Sequence, residues 1–252
     1  VNDFDDISSV FHANAFNCVF HYAALVGVKR TLANPVMVLN DITGIRNILN
    51  LSKNTGVKRI YFSSSSEVYG EPVEFPQNEH TTPLNSRLPY AIVKNVCEAY
   101  IRSYHKEFGL DYTIFRFFNT YGPKQSTDFV MSRFLSAALK NKDITVYGDG
   151  TQTRSFCYIS DMVEGLHRLM NSDTIGPVNV GNPQELTIRE IAKHIIRFTN
   201  SRSQIIFKER PADDPHRRKP DISLAEEVLQ WRPHVSLEEG LEKTVAYFRN
   251  IT

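Results

Sequence analysis

The order of hydrophobic and polar residues divides the first half of the chain into alternating strands and helices. Short apolar runs predict buried strands at 18–24, 57–62 and 111–118. Apolar residues at helical spacing predict helices over 36–53 and 90–108, and Gly56 and Gly109 follow them where helix ends favour glycine. Strands that alternate with helices in this way predict an α/β fold with a doubly wound parallel sheet.

The second half of the chain has shorter segments. They predict strands at 144–147, 178–181 and 205–207, and helices at 161–170, 188–199 and 237–247. A proline-containing loop over 71–89 separates one strand from the long helix that follows it. We therefore expect a smaller C-terminal α/β lobe over the carboxyl edge of the main sheet, with the change at about residue 122.

Composition removes several classes of partner. The 252 residues include 29 basic and 28 acidic ones without a basic arm, so we expect neither nucleic acid nor a membrane surface as partner. No apolar run reaches the roughly 20 residues of a membrane span. Cys18, Cys97 and Cys157 are far apart and odd in number, which favours free thiols, no metal site and a cytoplasmic location.

One pair of residues indicates chemistry. Tyr90 and Lys94 lie four residues apart and so share one face of the predicted helix. With 11 tyrosines in the chain, this spacing alone carries little weight. A run of four serines, 63–66, follows a predicted strand, where open α/β sheets bind their ligands. A tyrosine beside a cation and a serine hydroxyl can act as a base towards a substrate hydroxyl.

Six segments, in order, carry a resemblance to a known family. They are 20–24, 63–70, 90–94 with its Y-x-x-x-K spacing, 116–123, 147–156 and 213–221. Together they resemble the extended short-chain dehydrogenase/reductase family, the NAD-dependent sugar-nucleotide epimerases, dehydratases and decarboxylases. The resemblance implies an NAD-binding Rossmann-like domain over 1–122, incomplete at its N-terminus, to which later strands return. It also implies a lobe over 123–252 that mainly binds the nucleotide-sugar.

The resemblance also implies roles for individual residues. Tyr90 would take the proton of the sugar 4-hydroxyl, Ser65 would bind the same oxygen, and Glu67 would complete the catalytic set. Lys94 would hold the nicotinamide ribose of NAD and lower the pKa of Tyr90. The residues assigned to the cofactor site are Ala23, Ala24, Ser63, Ser64, Tyr90, Lys94 and Phe117. Those assigned to a UDP-sugar substrate are Asn119, Tyr147, Arg154, Arg210 and Arg218.

Two features depart from the family pattern. No G-x-x-G-x-x-G occurs in the chain, so we expect the turn that grips the NAD pyrophosphate to lie before Val1. Asp41 stands where the family often has asparagine in the helix that faces the cofactor. The resemblance further implies a homodimer through the helix of Tyr90.

The type of reaction stays open between three enzymes. A 4-epimerase needs only the serine, tyrosine and lysine, and the 25 residues from Ser65 to Tyr90 fit this class. UDP-glucuronate decarboxylases share the Ser-Glu pair at 66–67, but their acidic pair between the tyrosine and the lysine is replaced here by Ala91–Ile92–Val93. Dehydratases usually carry Asp-Glu at 66–67. We favour a UDP-sugar 4-epimerase, with the decarboxylase as the alternative and a catalytically silent nucleotide-binding relative or inactive fragment as an alternative of another class.

Overall fold

The computed structural model describes residues 1–209 and 216–251. Its strands are β1 (Cys18–His21), β2 (Arg59–Ser65), β3 (Asp111–Phe117), β4 (Thr120–Tyr121), β5 (Ile144–Tyr147), β6 (Thr153–Ser155), β7 (Cys157–Tyr158), β8 (Gly176–Val180), β9 (Glu185–Thr187) and β10 (Ile205–Lys208). Its α-helices are α1 (Phe4–Ala13), α2 (Val28–Ala33), α3 (Pro35–Leu39), α4 (Asp41–Thr55), α5 (Pro89–Phe108), α6 (Val130–Leu139), α7 (Ile159–Met170), α8 (Ile188–Thr199), α9 (Ser223–Leu229) and α10 (Leu237–Arg249). A 3₁₀ helix, Ser66–Tyr69, follows β2 directly.

The main sheet of the described residues is parallel and has the strand order β1, β2, β3, β8. Alternate residues of β2 explain its two buried faces. Phe62 packs with α4 and α5 on one side, and Tyr61 packs with α7, α9 and the buried Trp231 on the other. Helices on both faces of a parallel sheet confirm the predicted doubly wound α/β fold. The carboxyl ends of β2 and β3 lie together, because Ser65 pairs with Phe117.

The second half of the chain forms three small strand pairs in the described residues. Strands β5 and β10 are parallel, β4 and β7 are parallel, and β6 and β9 are antiparallel. Helices α6, α8 and α10 supply Phe134, Ile191 and Phe248 to a separate hydrophobic core. Strand β8 pairs with β3 and is part of the main sheet. The division at residue 122 itself stays a prediction.

Three local predictions differ from the structure. The serines were expected after the strand, but Ser63, Ser64 and Ser65 belong to β2 itself. The single helix over 36–53 is two helices, α3 and α4, separated at Asn40. Helices α1, α2, α6 and α9 were not predicted, although α6 carries a clear apolar face.

Two observations bear on the composition. Among the described residues, no helix combines the length and apolar character that crossing a bilayer requires. The same residues contain no group of three or more His, Cys, Asp or Glu side chains placed to hold a metal ion. All three cysteines are free thiols, Cys18 exposed and the other two buried.

Candidate active site

The long helix α5 brings Tyr90 and Lys94 to the end of β2. Pro89 occupies its first turn, where the missing N–H costs nothing, and Gly109 ends it with a left-handed φ of 70°. This start places Tyr90 beside the carboxyl end of β2, with Lys94 one turn further on. The Ser65 hydroxyl hydrogen-bonds the Tyr90 phenol. The Lys94 ammonium, 3% exposed, donates to the carbonyl oxygen of Ser63 at 2.6 Å.

The ionisation of Tyr90 differs from the expectation. Burial raises the pKa of Tyr90 to about 12, and the negative charge of Glu67 adds to the rise. The hydrogen bond from Ser65 opposes this rise without reversing it. The Lys94 ammonium lies 5.7 Å from the centre of the phenol ring and donates to the Ser63 carbonyl oxygen, and the expected lowering of the Tyr90 pKa does not prevail over burial.

Lys94 is itself perturbed. Burial lowers its pKa to about 8, although Cys97, Asp41 and Glu98 act in the opposite direction. Its ammonium also lies 4.8 Å from the centre of the Phe62 ring. The residue is therefore a buried side chain that is still mainly a cation at pH 7.

Glu67 lies in a cluster of opposite charges. An Nη1 of Arg218 donates to its Oε1 at 2.7 Å, and the two side chains are 6% and 27% exposed respectively. Burial by itself would raise the pKa of Glu67, but the charge and hydrogen bond of Arg218, together with the charge of Arg154, lower it. Glu67 is thus a carboxylate near neutral pH, two residues after Ser65 in sequence and close enough to Tyr90 to affect its pKa.

Ser64 takes a different place from the one predicted. Its hydroxyl donates to Oε1 of Glu98 at 2.6 Å in the protein interior, so only its backbone is left to contact a cofactor. Glu98 also accepts two hydrogen bonds from Arg116, at 2.7 and 3.0 Å. Arg116 in turn donates to Tyr69 at 3.0 Å. This buried network joins β2, β3 and α5, the elements that carry Ser65, Tyr90 and Lys94.

The nicotinamide half of NAD fits the residues at the ends of β1 and β2. Ala23 and Ala24, with His21, Asp41 and Lys94, line a small cavity beside Tyr90. The alanines leave the backbone accessible, and the buried ammonium is a suitable donor to ribose hydroxyls. Asp41, at the position where the family often has asparagine, accepts a hydrogen bond from the Leu25 N–H at 2.8 Å and so shapes the loop after β1.

The remaining predicted residues have separate places. Phe117 is half-buried and its ring lies 6.1 Å from that of Tyr22. The Asn119 carbonyl accepts the Cys157 N–H at 2.9 Å. Tyr147 lies on β5 and is exposed, and its ring centre lies 5.7 Å from the Arg133 guanidinium. Arg210 lies outside the described residues.

Sequence reasoning missed the residues that hold the site in place. Gln77 and Glu79 are buried in the proline-containing loop, and both contact Asn179 of β8. Glu98 gave no signal except its position four residues after Lys94, on the same helix face. The sequence signal to look for would be a polar residue at that spacing, on a helix face that is predicted to be buried.

Comparison with known proteins gives matches over nearly the whole chain. The family model described as GDP-mannose 4,6 dehydratase matches residues 1–244. UDP-glucuronic acid decarboxylase 1 of Arabidopsis thaliana is 43% identical over 239 residues, which are 92% of this chain and 55% of that protein. The crystal structure of UDP-glucose 4-epimerase with UDP-glucose from Thermotoga maritima superposes with a TM-score of 0.95 at 30% identity, covering 99% of this chain and 82% of the other. The crystal structure of UDP-glucuronic acid 4-epimerase from Bacillus cereus, in complex with UDP-glucuronic acid and NAD, superposes with a TM-score of 0.90 at 29% identity. The match covers 99% of this chain and 81% of the other.

These matches establish the class of protein. The chain belongs to the extended short-chain dehydrogenase/reductase family of NAD-dependent sugar-nucleotide epimerases and dehydratases. It spans about half the length of the first of these curated relatives, 55%.

Proposed function

We propose that this protein decarboxylates UDP-glucuronate through a 4-keto sugar. The observation that carries the proposal is the ionised Glu67, held by Arg218 beside Ser65 and Tyr90. The 43% identity to a UDP-glucuronic acid decarboxylase, against 29–30% to the two 4-epimerases, supports the same choice. The position and charge of Glu67 are therefore stronger evidence for a decarboxylase than the Ser65-to-Tyr90 spacing is for an epimerase.

The residues divide the chemistry as follows. Tyr90 holds and releases the proton of the 4-hydroxyl, and Ser65 fixes that oxygen by a hydrogen bond. Bound NAD would supply the hydride acceptor for C4 and the hydride that is later returned to it. The 4-ketone makes the sugar a β-keto acid, so the bond between C5 and the carboxylate can break with its electron pair moving to the ketone oxygen. A proton must then be added at C5, and we assign its relay from water to Glu67.

The charges around Glu67 suit an acidic substrate. Arg218 and Arg154 both act on this one carboxylate, so the cluster keeps a net positive charge. An anionic group of the substrate, either the diphosphate or the sugar carboxylate, is attracted to such a cluster. Arginine offers paired donors to either group.

A UDP-sugar 4-epimerase is the second candidate. In that reaction the 4-ketone turns and takes the hydride back on its other face, which needs no group beyond Ser65, Tyr90 and Lys94. The superposition on two 4-epimerases, one of them with UDP-glucuronic acid in its site, favours this candidate. The homodimer and the cytoplasmic location stay predictions.

The two candidates differ in their products. We expect the purified protein, supplied with NAD, to convert UDP-glucuronate to carbon dioxide and a UDP-pentose. NMR of the reaction mixture measures these products. We expect Glu67→Gln to lose at least about 100-fold in this turnover, in the usual range of a general acid–base residue. Tyr90→Phe is the control that stops either reaction, because both begin with removal of the same proton.

Conversion of UDP-glucuronate, UDP-glucose or UDP-N-acetylglucosamine to the C4 epimer, without carbon dioxide, would replace the decarboxylase with the epimerase. In that case Glu67→Gln should retain most of its turnover. Loss of UDP binding in Tyr90→Phe, measured by calorimetry, would make Tyr90 structural.

A further inference from the structure

Arg218 reaches the site from a short extended segment that crosses the surface, residues 216–221, here called the strap. One end is joined to β6, because the His216 carbonyl accepts the Thr153 N–H at 3.0 Å. The other end is joined to the proline-containing loop, where the Gln77 N–H donates to the Lys219 carbonyl at 2.8 Å. Gln77 also accepts the Asp221 N–H at 2.8 Å. Arg218 lies between these two attachments.

Arg217, the preceding residue, holds the outer side of the strap. Its Nη2 and Nε donate to the two oxygens of Glu185 at 2.6 and 3.1 Å, a paired geometry that fixes the guanidinium in orientation as well as distance. The same guanidinium lies 4.5 Å from the centre of the Phe75 ring. Glu185 is on β9 and Phe75 is in the loop of Gln77, so Arg217 is fastened to both supports of the strap.

The anchor on β9 is also tied to the second arginine of the site. Glu185 pairs with Ser155 of β6 and accepts the Thr153 hydroxyl at 2.7 Å. Arg154 lies between those two residues of β6. The contact of Arg217 with Glu185 therefore fixes the strap relative to the strand of Arg154, and both arginines act on Glu67.

From these contacts we propose that Arg217 is a positioning residue, which holds Arg218 against Glu67 although it does not itself face the site. The proposal rests on the proposed role of Glu67 in decarboxylation. Arg217 is half exposed, and most ion pairs at the surface contribute little to stability. Its effect should therefore be seen in the charge state of Glu67, more than in the stability of the fold.

A carboxyl titration measures this effect without any turnover. The protein is labelled with ¹³C at the glutamate carboxyls, and the Glu67 signal is assigned by its absence in Glu67→Gln. Among the described residues, the charged or titratable groups with the largest effect on Glu67 are Arg218 and Arg154, and Tyr90 faces it from α5. In Arg217→Ala we expect the Glu67 pKa to rise by about 0.5–1 unit, since burial raises it once Arg218 is held less firmly.

The matched variants separate positioning from general stabilisation. Arg217→Lys keeps the charge but loses the paired hydrogen bonds, so we expect an intermediate rise. Arg232→Ala removes another exposed arginine–glutamate pair, with Glu226, and should leave the titration of Glu67 unchanged. Hydrogen exchange at the Lys219 and Asp221 amides should become faster in Arg217→Ala and not in Arg232→Ala.

Two outcomes would overturn the proposal. One is an unchanged Glu67 titration in Arg217→Ala, whatever happens to hydrogen exchange, because the contact would then be merely structural. The other is an equal rise in Arg232→Ala. Failure of the proposed function shows separately, as absence of carbon dioxide from the wild-type protein. If the wild-type protein is a decarboxylase, the acid side of its kcat/KM–pH profile should shift to higher pH in Arg217→Ala, by the same amount as the Glu67 pKa measured by NMR. KM should stay within about 2-fold of the wild-type value.

Discussion

Lys94 combines a positive charge with nearly complete burial, 3% exposed. Burial disfavours the charged form, which is why its pKa falls from 10.5 to about 8. The buried cation therefore comes at a cost to the stability of the fold. Residues whose needs conflict in this way are concentrated at functional sites.

This conflict predicts that Lys94→Met stabilises the protein while it removes activity. At pH 7 the lowered pKa of Lys94 corresponds to a cost of about 3 kcal/mol to the folded wild-type protein, which the variant avoids. The variant also loses the hydrogen bond to Ser63, which stabilises the wild-type protein by about 1 kcal/mol. The free energy of unfolding should therefore rise by about 1–3 kcal/mol in the variant. Between pH 8 and 10.5 the unfolded wild-type chain binds a proton that the folded chain has lost, so wild-type stability rises with pH there and the advantage of the variant shrinks. Urea unfolding at pH 7 and 10 checks this. An equal gain in Lys106→Met, an exposed lysine of the same helix, would contradict it.

At the scale of single residues, the sequence predicted which residues lie at the candidate site better than it predicted their hydrogen-bond partners and burial. Ser65, Tyr90, Lys94 and Glu67 lie together, because the order of strand and helix places the end of β2 beside the start of α5 even though the exact end of β2 was missed. The place of Ser64 did not follow, since its partner is Glu98, distant in the chain. The direction of the Tyr90 pKa was missed for the same reason, as burial is a property of the folded molecule.

Among the elements, the contact between α5 and the sheet depends on one buried ion pair. Glu98 is wholly buried and accepts hydrogen bonds from Ser64, Arg102 and Arg116. Removing one partner leaves an uncompensated charge in the interior. We expect Glu98→Gln to lower the free energy of unfolding by about 3–5 kcal/mol, measured in urea.

The double variant Glu98→Met with Arg116→Met should recover much of that loss, because two apolar side chains leave no buried charge. Glu164→Gln breaks an exposed pair with Arg168 on α7 and should change stability by less than about 0.5 kcal/mol. If Glu98→Gln lowers the free energy of unfolding as little as this control does, the Glu98–Arg116 pair does not stabilise the fold.

Element boundaries were predictable where a residue marks them by its own geometry. Pro89 and Gly109 set the limits of α5. The break at Asn40 between α3 and α4 has no such mark, because apolar residues continue at helical spacing across it. The extension of β2 through three serines was missed because serine is a poor indicator of a strand, and the bonds to Ser63 and Ser64 come from α5.

For the whole molecule, the alternation of elements was enough to predict the doubly wound sheet. It could not predict the strap, which is extended, short and joined to loops far away in sequence. Arg218 was expected among the substrate-binding residues from its motif alone. Its pairing with Glu67, over 151 residues of separation, could only come from the fold.

The predicted homodimer can be examined on the outer face of α5. Val93, Cys97 and Ile101 of its apolar stripe are buried against the sheet and so are not available to a partner. On the other side Ala99 is exposed and Ile92 is 37% exposed, a small and an apolar residue that allow close helix packing. We expect a light-scattering mass of about twice 28.8 kDa for the wild-type protein and a shift towards the monomer in Ala99→Arg, because the bulky charge would be desolvated between helices. Ala13→Arg, at an exposed alanine of α1, is the matched control and should stay dimeric. A monomeric wild type, or a dimer that Ala99→Arg leaves intact, would exclude this face of α5 as the interface.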